Sequence, residues 1–97
     1  MSESNQPRLY YFFGRECTWC EKMHPLVDLL EHKENVKLVQ LEVWHDADNQ
    51  EKMKAFAETI RPACGGRLAV PAFYNTKTNK ALCGCVQYDA LKTWATE

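Results

Sequence analysis

Five cysteines, Cys17, Cys20, Cys64, Cys83 and Cys85, are the residues of this 97-residue chain best suited to covalent chemistry. Cys17-Thr18-Trp19-Cys20 makes a C-x-x-C, and Cys83-Gly84-Cys85 a C-x-C. A thiolate, not a thiol, is the nucleophile in disulfide exchange. With two residues between them, both sulfurs of the first pair sit on one side of a first helical turn. Cys17 can then attack a substrate disulfide and Cys20 can displace the product. Arg15 adds a positive charge two residues before Cys17. A C-x-x-C is also half of a zinc site, so metal binding is the competing reading. Zinc half-sites usually sit on knuckle turns, often with a second C-x-x-C, whereas the second group here has different spacing. An odd number of cysteines excludes a fully paired framework within one chain. A secreted, disulfide-stapled fold is therefore not expected, and clustered cysteines in a reducing compartment are redox-active or metal-binding.

The elements around the pair must present it. Leu9–Phe13 reads L-Y-Y-F-F between Pro7 and Gly14, a strand buried on both faces. From Thr18 to about Lys33 the period is helical, with Met23, Leu26, Val27 and Leu30 on one stripe. Cys17 thus stands at the start of a helix, where unpaired N–H groups and the macrodipole favour an anion and lower the thiol pKa. Val36–Val43 is a second strand, expected in the centre of the sheet. Asp48 and Glu51 have capping-box spacing for a helix carrying Met53, Phe56, Ala57 and Ile60 and ending before Pro62. Ala69–Asn75, interrupted by Pro71, and Lys80–Cys83 form a hairpin across Thr76–Asn79. The last helix carries Tyr88, Leu91, Trp94 and Ala95. The order is β-α-β-α-β-β-α, an α/β fold with a four-stranded mixed sheet and three helices. Residues 1–6 read as a flexible tail and residues 7–97 as a single domain.

Composition narrows the partners. Twelve basic and thirteen acidic residues leave a net charge of −1, which argues against a nucleic-acid binder. No apolar run has the roughly 18 residues of a membrane span. The polar start, Met1 to Arg8, lacks a secretory signal core. A monomer in the cytoplasm is expected.

At this level the chain resembles the thioredoxin superfamily, and within it a dithiol glutaredoxin. Phe13-Gly14-Arg15-Glu16-Cys17-Thr18-Trp19-Cys20 is similar to the glutaredoxin entry in which F-G-[RK] precedes C-P-Y-C, with Thr18 in place of the proline. Val70-Pro71 resembles the T-V-P loop, whose proline is cis and faces the active-site pair. Lys80–Cys85 resembles the segment ending in G-G-C, with Cys83 in place of the first glycine. Val86 and Gln87 stand where acidic or serine residues are usual. Pro25 resembles the helix-kinking proline of thioredoxins proper, and Tyr11 stands where thioredoxins carry a buried acid.

The resemblance implies a thiol–disulfide oxidoreductase with Cys17 and Cys20 catalytic. Arg15, Thr18, Trp19, Val70, Pro71, Gly84 and Cys85 would lie against the substrate. It implies no bound cofactor, with glutathione as a possible reductant. The partners would be disulfide-containing proteins, glutathione mixed disulfides and a glutathione- or thioredoxin-type reducing system. Thiolate binding of a metal or an iron–sulfur cluster is the alternative, and a Cys83/Cys85 redox switch a third. Trp19 should be exposed, and Trp44 and Trp94 should pack in the core or at its rim. His24, His32 and His45 read as surface positions and Lys22 as an exposed helical lysine. Cys64 is either a free thiol or a neighbour of the active site.

Overall fold

The computed structural model describes residues 9–97; the expected tail, with Pro7 and Arg8, lies outside the described residues. The order is β1 (Leu9–Phe13), α1 (Thr18–Glu34), β2 (Leu38–Glu42), α2 (Ala47–Ala55), α3 (Ala57–Ala63), β3 (Ala72–Asn75), β4 (Lys80–Cys83) and α4 (Tyr88–Thr96). The sheet runs β2-β1-β3-β4. β1 pairs parallel with β2, from Leu9↔Leu38 to Phe13↔Glu42. It pairs antiparallel with β3, and β3 with β4.

A strand's side chains alternate between faces, and β1 is apolar at every position because both faces are covered. Leu9 and Tyr11 join Met23, Val27 and Leu30 of α1 and Leu91, Trp94 and Ala95 of α4 in one core. Tyr10 and Phe12 join Val43, Met53, Ile60, Ala72 and Tyr74 in the other. The mixed sheet with helices on both faces is therefore as expected from sequence.

Four details differ. β2 is an edge strand, not a central one: β1 offers two bare edges, and β3 takes the edge that β2 leaves. Gln40 and Glu42 are tolerable at such an edge. β2 is also shorter, and Val39 packs with Leu41 and Val43 on the α2–α3 side. The second helix begins two residues earlier than the Asp48–Glu51 spacing implied: Asp46 is the N-cap, its carboxylate accepting the Asn49 N–H at 3.0 Å. Finally, this helix breaks at Phe56 (φ −106°, ψ 17°), giving four helices, and α3 runs through Pro62. Burial of Ile60 draws that turn inward, and the Cys64 and Gly66 N–H groups satisfy the Ile60 and Arg61 carbonyls at its end.

The hairpin turn is where expected. Asn79 holds a positive φ of 58°, and its N–H donates to the Asn75 carbonyl at 2.9 Å. Asn75 itself is fully buried, donating from Nδ2 to the Trp94 carbonyl and accepting the Lys77 N–H. Among the described residues no helix is long and apolar enough to cross a membrane.

Phe73 stacks on Tyr11 at 4.9 Å and meets Trp94 edge-on at 5.6 Å, with no exposure. Phe73→Ala leaves a cavity at this junction of sheet, α1 and α4. Urea titration should show a loss of about 3–5 kcal/mol.

Candidate active site

Cys17 is the N-cap of α1, with extended backbone (φ −77°, ψ 111°). Its sulfur accepts the Cys20 N–H at 3.1 Å, and its own N–H donates to the Gly14 carbonyl at 3.0 Å. An N-cap side chain normally supplies an oxygen to a helix's unpaired donors; here a sulfur takes that place. When the pair is reduced, the same N–H and the helix dipole favour the thiolate. Cys17 and Cys20 form a disulfide with Cα atoms 5.1 Å apart. Cys20 is fully buried and Cys17 nearly so, at 4% exposure. Between them Thr18 is exposed, and Trp19 is 60% exposed, as its place in the C-x-x-C predicted. The Lys22 ammonium lies 5.1 Å from the centre of the Trp19 ring.

Three further segments meet this helix start. The Val70–Pro71 peptide is cis, and the Cys17 sulfur lies 4.0 Å from the Val70 carbonyl oxygen. The Pro71 carbonyl accepts the Gly84 N–H at 2.7 Å. Gly84 needs to be glycine because its φ is +82°. Cys85 follows, exposed, its thiol donating to the Trp19 carbonyl at 3.4 Å. Thr18, Trp19, Val70, Pro71, Gly84 and Cys85 are thus gathered around the pair. Arg15 lies beside it, exposed and anchored through its backbone.

That anchor is Glu42, which sequence reasoning missed. Its carboxylate accepts the backbone N–H groups of Arg15 (2.9 Å), Trp44 (3.0 Å) and His45 (2.9 Å), tying the β1–α1 loop to the β2–α2 loop. Desolvation pushes the Glu42 pKa up, but the three N–H donors outweigh it and hold the group below the usual carboxylate value. A second tie joins the same loops: His45 Nε2 lies 2.6 Å from Glu16 Oε1, and this hydrogen bond lowers the Glu16 pKa. Trp44 lies over Gly14 so closely that a Cβ at Gly14 would overlap the indole.

Beneath the pair stands another group that the sequence did not reveal. The Tyr11 hydroxyl donates to the Cys20 carbonyl at 3.1 Å and lies 3.1 Å from His24 Nδ1. The donor in the contact with His24 Nδ1 is set by the imidazole tautomer. His24 is half-buried, not a surface residue, with its ring edge-on to Tyr11 and Phe13. Burial first, then the negative charges of Cys85 and Asp28, raise the Tyr11 pKa well above 10.0. At neutral pH Tyr11 is a hydrogen-bond donor and no proton acceptor. The signal is present in part: His24 sits one turn after Cys20 in the sequence.

Cys64 is not free, and it neighbours the site through the loop that faces Cys17, its sulfur 3.8 Å from the Ala69 carbonyl oxygen. It is bonded to Cys83, with Cα atoms 5.2 Å apart, so Cys83 is not available to Cys85 as the expected switch partner. The odd count remains true of the whole chain, with Cys85 the free thiol among the described residues. Among these residues no three His, Cys, Asp or Glu side chains converge to hold a metal ion.

No protein-family model matches the chain, and no curated protein matches it in sequence. Among solved structures, a mutant thioredoxin from Halobacterium salinarum NRC-1 superposes with a TM-score of 0.63. The two are 20% identical over 99% of this chain and 80% of that one. The chain has the thioredoxin fold. Within a thioredoxin fold of this sequence, the helix start carrying Cys17 is held from below by Tyr11 and from the side by Glu42.

Two outcomes test these supports. Above pH 4.5 Glu42 is ionised whether the chain is folded or not, and its stabilisation is complete; it is lost as pH falls through the depressed folded value. Glu42→Gln should remove that part of the acid slope in a denaturant titration. Tyr11 behaves oppositely: its stabilisation is complete below pH 10 and lost as pH rises through the higher folded value. Tyr11→Phe should cost about 1 kcal/mol at neutral pH and flatten the alkaline limb.

Proposed function

We propose that this protein is a thiol–disulfide oxidoreductase that reduces protein disulfides or glutathione mixed disulfides through Cys17 and Cys20. The observation that carries the reading is the Cys17 sulfur at the α1 N-cap, bonded by the Cys20 N–H and facing the Val70 carbonyl. A thiolate there attacks the substrate disulfide in line, forming a mixed disulfide and releasing one substrate thiolate. Cys20 then displaces the second, leaving the oxidised pair with its electrons transferred to substrate. Glutathione, or a dithiol protein of a reductase system, restores the two thiols. Such a cycle suits a thiol-rich compartment, in our reading the cytoplasm, and works in a monomer.

Polypeptide substrates are favoured by the surroundings. Exposed Trp19 provides a large apolar contact. The Val70 backbone, whose carbonyl faces the Cys17 sulfur, would pair with an extended chain. A cleft of about 200 Å³ lined by Val43, Trp44, Met53, Leu68 and Val70 continues from that loop and accepts an apolar side chain next to the substrate cysteine. Arg15, Thr18, Gly84 and Cys85 complete the rim.

A Cys20→Ser chain incubated with a disulfide-containing protein and with oxidised glutathione should accumulate a mixed disulfide on Cys17, identified by peptide mass spectrometry. Cys17→Ser should lower turnover by roughly 10³-fold or more. A Cys20→Ser chain that traps neither substrate would sink the reading.

A further inference from the structure

The loop that faces Cys17 touches a second disulfide. The sulfurs of Cys64 and Cys83 lie 3.8 Å and 4.0 Å from the carbonyl oxygen of Ala69, the residue before Val70. The Cys17 sulfur lies 4.0 Å from the next carbonyl, that of Val70. Two adjacent peptide groups therefore each face a different cystine. Cys64–Cys83 also bonds the end of α3 to β4, whose last residue is paired with Ala72. It thereby fastens both ends of the segment from Gly65 to Pro71.

We propose that Cys64–Cys83 is a second redox-active site, opened by dithiol reductants, whose state decides how firmly the Val70–Pro71 loop is held beside Cys17. Three features support an openable bond rather than a sealed one. Both cysteines are only partly buried, at the border of the α2–α3 core. Nothing packs within 4 Å of the Cβ directions of Gly65 and Gly66, so the chain beyond Cys64 has open space into which to move. The reduced form also has a waiting partner: the Ala69 carbonyl accepts an S–H from either thiol at the distances already present.

The step balances as ordinary exchange. One thiolate of the reductant attacks a sulfur of Cys64–Cys83, breaking that S–S bond and forming a mixed disulfide. The reductant's second thiolate displaces it. The reductant leaves as a disulfide, and its two protons end on Cys64 and Cys83. Once opened, α3 and the loop lose their covalent tie to β4, while the Gly84 N–H to Pro71 bond remains. The docking backbone then samples more positions. The effect on substrates rests on the oxidoreductase reading above; the redox site itself does not.

The test separates the two. A Cys17→Ser/Cys20→Ser chain is treated with dithiothreitol without denaturant, alkylated, and mapped by mass spectrometry. Cys64 and Cys83 should become alkylated together. Tryptic cleavage after exposed Arg67 should rise at least about tenfold on reduction. If the double variant does not fold, the unaltered chain is mapped in the same way, with Cys64 and Cys83 peptides scored separately from the Cys17–Cys20 peptide. Cys64 and Cys83 resisting alkylation until the chain is denatured overturns the proposal. Opening without any change in cleavage at Arg67 overturns the control of the loop. Neither readout needs activity at Cys17, so failure to trap a mixed disulfide is a separate result.

Discussion

β1 has no solvent face and no free edge. Its side chains go alternately into two cores, and its backbone is bonded to β2 on one side and β3 on the other. A segment so enclosed cannot shift by one residue without moving every side chain into the wrong core. Its C-terminal end then delivers the chemistry. The Phe13 carbonyl accepts the Val43 N–H at 2.8 Å, and the Gly14 carbonyl accepts the Cys17 N–H at 3.0 Å. The N-cap cysteine is therefore positioned by a strand that is immobile for reasons of packing.

The supports of the pair divide the electrostatic work. The helix start offers the Cys20 N–H to the Cys17 sulfur from one side. The Tyr11 hydroxyl, kept neutral by burial, offers a proton to the Cys20 carbonyl from below. Glu42 brings a negative charge close to the Arg15 backbone, but its oxygens are occupied by three N–H donors that share that charge. A carboxylate is thus used to fix loop geometry near a site where a free negative charge would oppose a thiolate.

Much of this was legible locally. The C-x-x-C, the stripe of α1, the unbroken apolar run of β1 and the turn ending at Asn79 each depend on residues a few positions apart, and each stands where it was expected. The edge position of β2 was not legible, because which edge of β1 receives β3 is settled by the whole sheet. The break at Phe56 was hidden as well. Its apolar ring fits the helical stripe, yet it packs against Tyr10 and Tyr74, and those contacts belong to the sheet.

By itself the sequence determined the chemistry available: two thiols on one helical turn with an aromatic residue between them. Those properties follow from residue type and short spacing, which survive any packing of the rest. Tertiary structure alone decided the partners that come from far along the chain. It paired Cys64 with Cys83 across the hairpin, put Tyr11 against His24 under the Cys20 carbonyl, and turned Glu42 toward the Arg15 N–H. Each of these contacts needs two segments to meet at a specific register, and that register is a property of the folded sheet and its two cores, not of any window of residues.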